Sequence, residues 1–227
     1  KPVAARLEVS VRDGASVAAA NSWPCWLFPR RTVRNGADLA VTGRCAEAFR
    51  RAYSGTKGEG DVEKARIVVA DAGSPEIAAA LARGQSVIEI GGVEGPENIQ
   101  LGWWFLSGIV GASFDAAHPI LSHLPESKVL STLHFRIFKK GCRLPLGGFE
   151  PERTIALSEE GDGCYAHLAE RVDAKGGRHL LVWGLALDQD LPEATAIIDG
   201  LVDFARRPVT EDERRTMRAD TVSTKRT

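Results

Sequence analysis

From Arg6 to Arg12 the chain alternates without a break: Leu7, Val9 and Val11 fall on one side, Arg6, Glu8, Ser10 and Arg12 on the other. A period of two over this length predicts a half-buried strand. Asp13-Gly14 is a hairpin-turn dipeptide, and Ser16 to Ala20 returns as the partner strand. A lone two-stranded hairpin is marginal in water, so this ribbon is expected to join a further sheet, in this domain or in a preceding one. Asn21 to Pro29 follows, with Trp23, Trp26 and Phe28 framed by Pro24 and Pro29. It reads as an extended segment pinned by its rings.

Past the Asn35-Gly36 turn the period changes. Asp38 to Thr42 is a short buried-strand candidate. Cys45, Phe49 and Ala52-Tyr53 then recur at helical spacing up to Ser54-Gly55. Ile67-Val68-Val69 is a continuous apolar run, as expected of a strand covered on both faces. Ser74-Pro75-Glu76 opens a helix, since serine accepts from free amides, proline suits the first turn and glutamate meets the positive dipole end. Gly84 closes that helix, and Ser86 to Ile90 is the next strand. Strand, helix and strand at this spacing predict a βαβ unit with parallel strands.

Residues 102–125 then lose all periodicity while keeping large apolar side chains, among them Trp103-Trp104, and contain His118-Pro119. A long irregular segment of this kind is a functional or heavily packed loop. Beyond it, Thr132 to Phe138 and Arg153 to Leu157 read as extended. Cys164 to Glu170 and His179 to Trp183 form an antiparallel hairpin about Lys175-Gly176-Gly177. The last helix starts at Asp190, with Glu193 in capping-box position and Ala194, Ile197-Ile198, Leu201 and Phe204-Ala205 as its core face. After Pro208 the chain is charged and poor in aromatics, so disorder is expected from about residue 209. The expected division is 1–34 (hairpin and aromatic linker), 35–207 (α/β domain) and 208–227 (tail).

Composition narrows the function classes. A hydrophobic fraction of 44% and a charged fraction of 26% suit a soluble protein with a core. A formal net charge of -1 gives no pull toward nucleic acid or an anionic membrane, and no window is apolar enough to span a bilayer. The chain starts at Lys1-Pro2-Val3 without methionine and with no signal-peptide pattern, which leaves open a start inside a longer polypeptide; compartment stays open too. Cys25, Cys45, Cys142 and Cys164 form no Cys-x-x-Cys pair, so no metal site is expected and buried free thiols are the simpler reading.

Candidate chemistry is sparse. Gly91-Gly92-Val93-Glu94-Gly95 has the glycines of a nucleophile elbow and no nucleophile. On a strand, Cys164 and His167 would face opposite sides and form no dyad. His118, His123 and His134 are isolated, and suit capping or packing better than metal ligation. Glu89, Glu94 and Glu97 cluster at a strand end, where α/β folds bind ligands. Phosphate-cradle motifs are absent, and no cofactor is expected. The candidate ligand contacts are Trp103, Trp104, Glu94 and His118, with no catalytic residue named; Trp103 and Trp104 are read first as packing against another domain, which makes their loop a docking surface, and second as ligand contacts. Trp23, Trp26 and Phe28 are the candidates for packing against another domain, because large rings bury much area at little rotamer cost.

Several stretches in order resemble the C-terminal region of β-galactosidase-like proteins of glycoside hydrolase family 2. They are Asn21-Ser22-Trp23 through Phe28-Pro29, Ala82-Arg83-Gly84-Gln85-Ser86-Val87-Ile88-Glu89-Ile90, Gly102-Trp103-Trp104 with His118-Pro119, Gly176 to Leu185, and Asp190-Leu191-Pro192-Glu193-Ala194. The resemblance spans roughly residues 5 to 206. It implies a β-sandwich strand pair leading into a flavodoxin-like sheet similar to class I glutamine amidotransferases, partly parallel, with the nucleophile missing. It further implies an accessory domain whose partners are the catalytic and β-sandwich domains of a longer chain, with carbohydrate and a second copy as further candidates. The family's catalytic glutamates sit on a (β/α)₈ barrel, and no segment here supplies one. Where the family pattern has a tryptophan-rich stretch after His118-Pro119, Leu133-His134-Phe135 stands instead. A free-standing hydrolase using Glu94, His118 or Cys164, and a carbohydrate-binding module, are the alternatives.

Overall fold

The computed structural model describes residues 2–91, 109–125, 137, 144–145, 153–160 and 163–215. It begins with a two-stranded antiparallel ribbon, β1 (Val3–Asp13) and β2 (Ser16–Leu27), turned at Gly14 in a left-handed conformation. The register pairs Leu7 with Trp23 and Val3 with Leu27, so the aromatic segment is itself strand and the hairpin is longer than the alternation alone indicates. A linker then reaches the α/β body.

The body is built on an eight-stranded sheet. Its elements are β3 (Arg34–Asn35), β4 (Leu39–Val41), α1 (Ala46–Ala52), β5 (Tyr53–Ser54), a 3-10 helix (Glu59–Lys64), β6 (Ile67–Asp71), α2 (Pro75–Ala82) and β7 (Ser86–Gly91). Then come β8 (Ile109–Phe114), a second 3-10 helix (Pro119–His123), β9 (Leu144–Pro145), β10 (Arg153–Glu160), β11 (Gly163–Val172), β12 (Arg178–Trp183) and α3 (Pro192–Ala205). The strand order is β4-β6-β7-β12-β11-β10-β8, with β9 on β11, while β3 and β5 pair separately. β4, β6, β7 and β12 run parallel; β11, β10 and β8 continue the sheet antiparallel. This is the expected α/β fold, a flavodoxin-like parallel half with an antiparallel C-terminal hairpin.

The period of two in each buried strand sorts its side chains between two layers. Leu39, Val41, Ile67, Val69, Ile88 and Ile90 face α1 and α3, whereas Ala40, Val68, Ala70 and Val87 face α2. Burial on both faces is why Ile67-Val68-Val69 carries no polar residue. α3 presses on the second 3-10 helix through Gly200, where a Cβ would stand 1.8 Å from the carbonyl oxygen of Ile120. At the head of α1, both carboxylate oxygens of Asp71 accept from the Arg44 amide.

Three details differ from expectation. The capping box on α3 is not formed: Leu191 is the N-cap, no side chain caps the helix, and Glu193 is buried. Proline at the first helical position has no amide to satisfy, which lowers the demand for a cap. Within the expected tail, residues 211–215 form a helical turn in which Thr210 and Glu213 bond reciprocally as a capping box. Finally, Cys45 is buried as expected, but Cys25 on the ribbon is half-exposed. The expected strand over Thr132 to Phe138 lies outside the described residues, apart from Ile137.

Candidate functional site

The ribbon carries the largest departure from ordinary burial. Leu7, Val9 and Val11 of β1 are 55%, 49% and 61% exposed, and Trp23, opposite Leu7, is 46% exposed. Because β1 and β2 are in register, Val3, Leu7, Val9, Val11, Trp23 and Leu27 share one face. Arg6 and Ser22, hydrogen-bonded at 2.8 Å, sit on the other. The alternation is therefore present, but the apolar side that should be half-buried is open. Trp26, on the polar side opposite Ala4, is 38% exposed. Contiguous apolar surface of this kind marks an interaction site in a soluble protein. Phe28 is different: it is half-buried against the core of the α/β body itself and anchors the linker to that body.

Of the expected ligand contacts, His118 is described and is buried, 1% exposed. Its Nδ1 accepts from the Ile120 amide at 3.3 Å, which leaves the Nε2 proton to point at Glu170 Oε1, 3.1 Å away. With both ring nitrogens used, it caps the second 3-10 helix and offers nothing to a ligand; this corrects its assignment as a contact residue. Glu94, Trp103 and Trp104 lie outside the described residues, as does the side chain of Cys164.

His118 belongs to a buried polar chain that the sequence did not reveal. Glu170 also receives Arg178 at 3.3 Å; Arg178 continues to Glu213 at 2.7 Å and lies over the Phe204 ring at 4.0 Å. His118 meets the same ring edge-on, centroids 4.7 Å apart. Glu170 and Arg178 fall on neighbouring strands of the α3 face, and Glu213 ties the tail down. Charges taken this far from water persist when they are paired and hydrogen-bonded, which is the arrangement here.

A second network joins the linker to α3. Arg31 reaches Asp199 at 2.8 Å, the Tyr53 hydroxyl donates to the same oxygen at 2.8 Å, and Arg34 forks onto Asp203 at 2.6 and 3.1 Å. His123 also meets Asp203, at 2.9 Å. Burial, then the adjacent Asp199 carboxylate, push the Tyr53 phenol far above its ordinary value. The guanidiniums of Arg31, Arg34 and Arg206 stand 5.4 to 5.9 Å from the centre of the Tyr53 ring. Asp199 and Asp203 are four apart on α3, an acidic stripe beside its apolar face, and this spacing was the one sequence signal for the network.

On the opposite face of the sheet, Glu89 accepts from His179 at 2.6 Å, and Arg171 donates to the other ring nitrogen at 3.0 Å. His167 sits at a bulge in β11, where Ala166 and Leu168 oppose Leu157 and Ala156. It bonds the Trp183 carbonyl at 3.0 Å, and burial lowers its pKa to about 4. None of these groups is arranged as a nucleophile with its base. Among the described residues no group of three or more His, Cys, Asp or Glu could hold a metal ion, and no helix is long and apolar enough to cross a membrane.

A cavity of about 640 Å³ lies at the foot of the ribbon, between the linker from Phe28 to Arg34, α1 and the start of α3. No protein-family model matches the chain, and no curated protein matches it.

Proposed function

We propose that this chain is a non-catalytic accessory domain of a β-galactosidase-like glycosidase of glycoside hydrolase family 2, docked through its N-terminal ribbon. The observation that carries this reading is the open apolar face of β1 and β2, with Leu7, Val9, Val11 and Trp23 on one side of a hairpin that no further strand joins among the described residues. Two strands alone do not pay for their own ordering in water, so the ribbon is stable only against a surface that covers it. A β-sandwich ahead of the α/β body supplies that surface, either as strands that extend the ribbon or as a second layer about 10 Å away.

The α/β body supports the same reading. Its buried His-Glu and Arg-Glu contacts hold strands, helix and tail together, and their burial keeps them from a substrate. In the whole enzyme, retaining hydrolysis of β-glycosides would be the work of two carboxylates on another domain. This domain would shape the rim of that site or hold an oligomer together.

The test is turnover of chromogenic β-glycosides by the 227-residue chain alone. No hydrolysis above the buffer rate is expected; robust hydrolysis would overturn the reading.

A further inference from the structure

The cavity at the foot of the ribbon has no part in that reading, and its volume of about 640 Å³ falls within the range of small-molecule sites, roughly 300–1,000 Å³. Its lining divides by chemistry. Phe28, Val33, Leu187 and Pro192 give an apolar wall, while Arg30, Arg31, Arg34 and Arg51 outnumber Asp190 and Asp199. Two of these cations are already matched at their tips, Arg34 by Asp203 and Arg51 by Glu47 and the Asp188 carbonyl. The other two are not fully used. Arg31 gives one terminal nitrogen, Nη2, to Asp199 and the Ala52 carbonyl, which leaves its other terminal nitrogen without a hydrogen bond among the described residues. Arg30 is exposed at the cavity and has no hydrogen bond or ion pair among the described residues.

Guanidinium N–H groups at a cavity wall that lack a protein acceptor are donors that a bound anion can use. A carboxylate suits them best, because its two oxygens match the planar fork of N–H donors. The apolar wall then takes a hydrocarbon or ring body, which neither a bare inorganic anion nor a neutral sugar would use fully. We propose that this cavity binds a small organic carboxylate, its head on Arg30 and Arg31 and its body against Phe28, Val33 and Leu187. Because Phe28 to Arg34 is the connection between ribbon and α/β body, such a ligand would also fix the angle at which the ribbon leaves the body.

Isothermal titration of the full chain with phenylacetate, and separately with inorganic phosphate, tests this. Saturable binding of phenylacetate is expected, with phosphate at least about tenfold weaker for want of the apolar contacts. Arg30→Ala should weaken phenylacetate by about tenfold or more, the loss of one charged hydrogen-bond partner. Thr195→Glu, which adds a carboxylate to the lining, should abolish binding. Both positions are at least partly exposed, and unchanged thermal midpoints would show that the variants fold. Absence of binding, equal affinity for phosphate, or phenylacetate affinity unchanged in both variants would overturn the proposal.

Discussion

Nε2 of His118 lies 3.1 Å from Oε1 of Glu170, and the two side chains are almost wholly sealed from water although 52 positions separate them in the chain. Glu170 also carries Arg178 at 3.3 Å. Removing the carboxylate takes from the buried Arg178 guanidinium one of its two carboxylates, Glu213 being the other, and leaves the imidazole proton without an acceptor. Glu170→Ala should therefore cost about 3–5 kcal/mol. Glu170→Gln, which keeps an acceptor and the shape, should cost less, about 1–3 kcal/mol. Urea unfolding of the two variants measures the difference; equal losses would remove the charge from the explanation.

His167 makes stability fall on acidification. Its pKa is about 4 in the fold, against about 6.5 in the unfolded chain, so between those values the unfolded chain binds the extra proton. Its contribution is present above pH 6.5 and is lost as pH falls toward 4, on the order of 3 kcal/mol in all. His167→Asn, which keeps a donor for the Trp183 carbonyl, should flatten that part of the pH–stability curve. In the parent protein, the His167 ring resonances should not shift with pH from 7 down to 5.

Tyr53 acts in the opposite range. Its phenol is held protonated by burial and by Asp199, while an unfolded tyrosine ionises near pH 10. A raised value in the fold means stability is present below pH 10 and declines above it. The folded protein and its Tyr53→Phe variant should show the same phenolate absorbance at pH 11. The variant itself should lose about 1–2 kcal/mol with the hydrogen bond to Asp199.

Gly200 has no room for a side chain. A Cβ there would stand 1.8 Å from the Ile120 oxygen, which is backbone and cannot swing aside. Gly200→Ala should cost about 1–3 kcal/mol despite alanine's better helix propensity. A thermal melt decides; a gain in stability would contradict the close packing of α3 on the 3-10 helix.

What the sequence made legible were the local elements. The run Ile67-Val68-Val69, the helix start at Ser74-Pro75-Glu76 and the turns at Asp13-Gly14 and Lys175-Gly176-Gly177 each carry their own cause within a few residues, and each became the element expected. Long-range chemistry was not legible. Arg31 and Asp199 are 168 positions apart, and neither has a local pattern that names the other. His118 was visible as a polar residue beside proline, but its partner follows from strand order. Asp190 and Glu193 had capping-box spacing, and the helix started at Pro192 instead, because a proline start needs no such cap. Phe28 was grouped with Trp23 and Trp26 by its aromatic run; the end of β2 at Leu27 turns it back into its own core.

The central claim is that the ribbon is a docking element. Hydrogen exchange at the amides of Val3 to Leu27 tests it most directly, measured in the 227-residue chain and in the longest polypeptide that its reading frame encodes. In the isolated chain the ribbon should exchange far faster than β6 and β7. In the longer polypeptide it should be slowed by about a hundredfold or more. Leu7→Glu with Val9→Glu should abolish that gain. Equal ribbon exchange in the two polypeptides, or slowing that survives the double substitution, would contradict docking through this face.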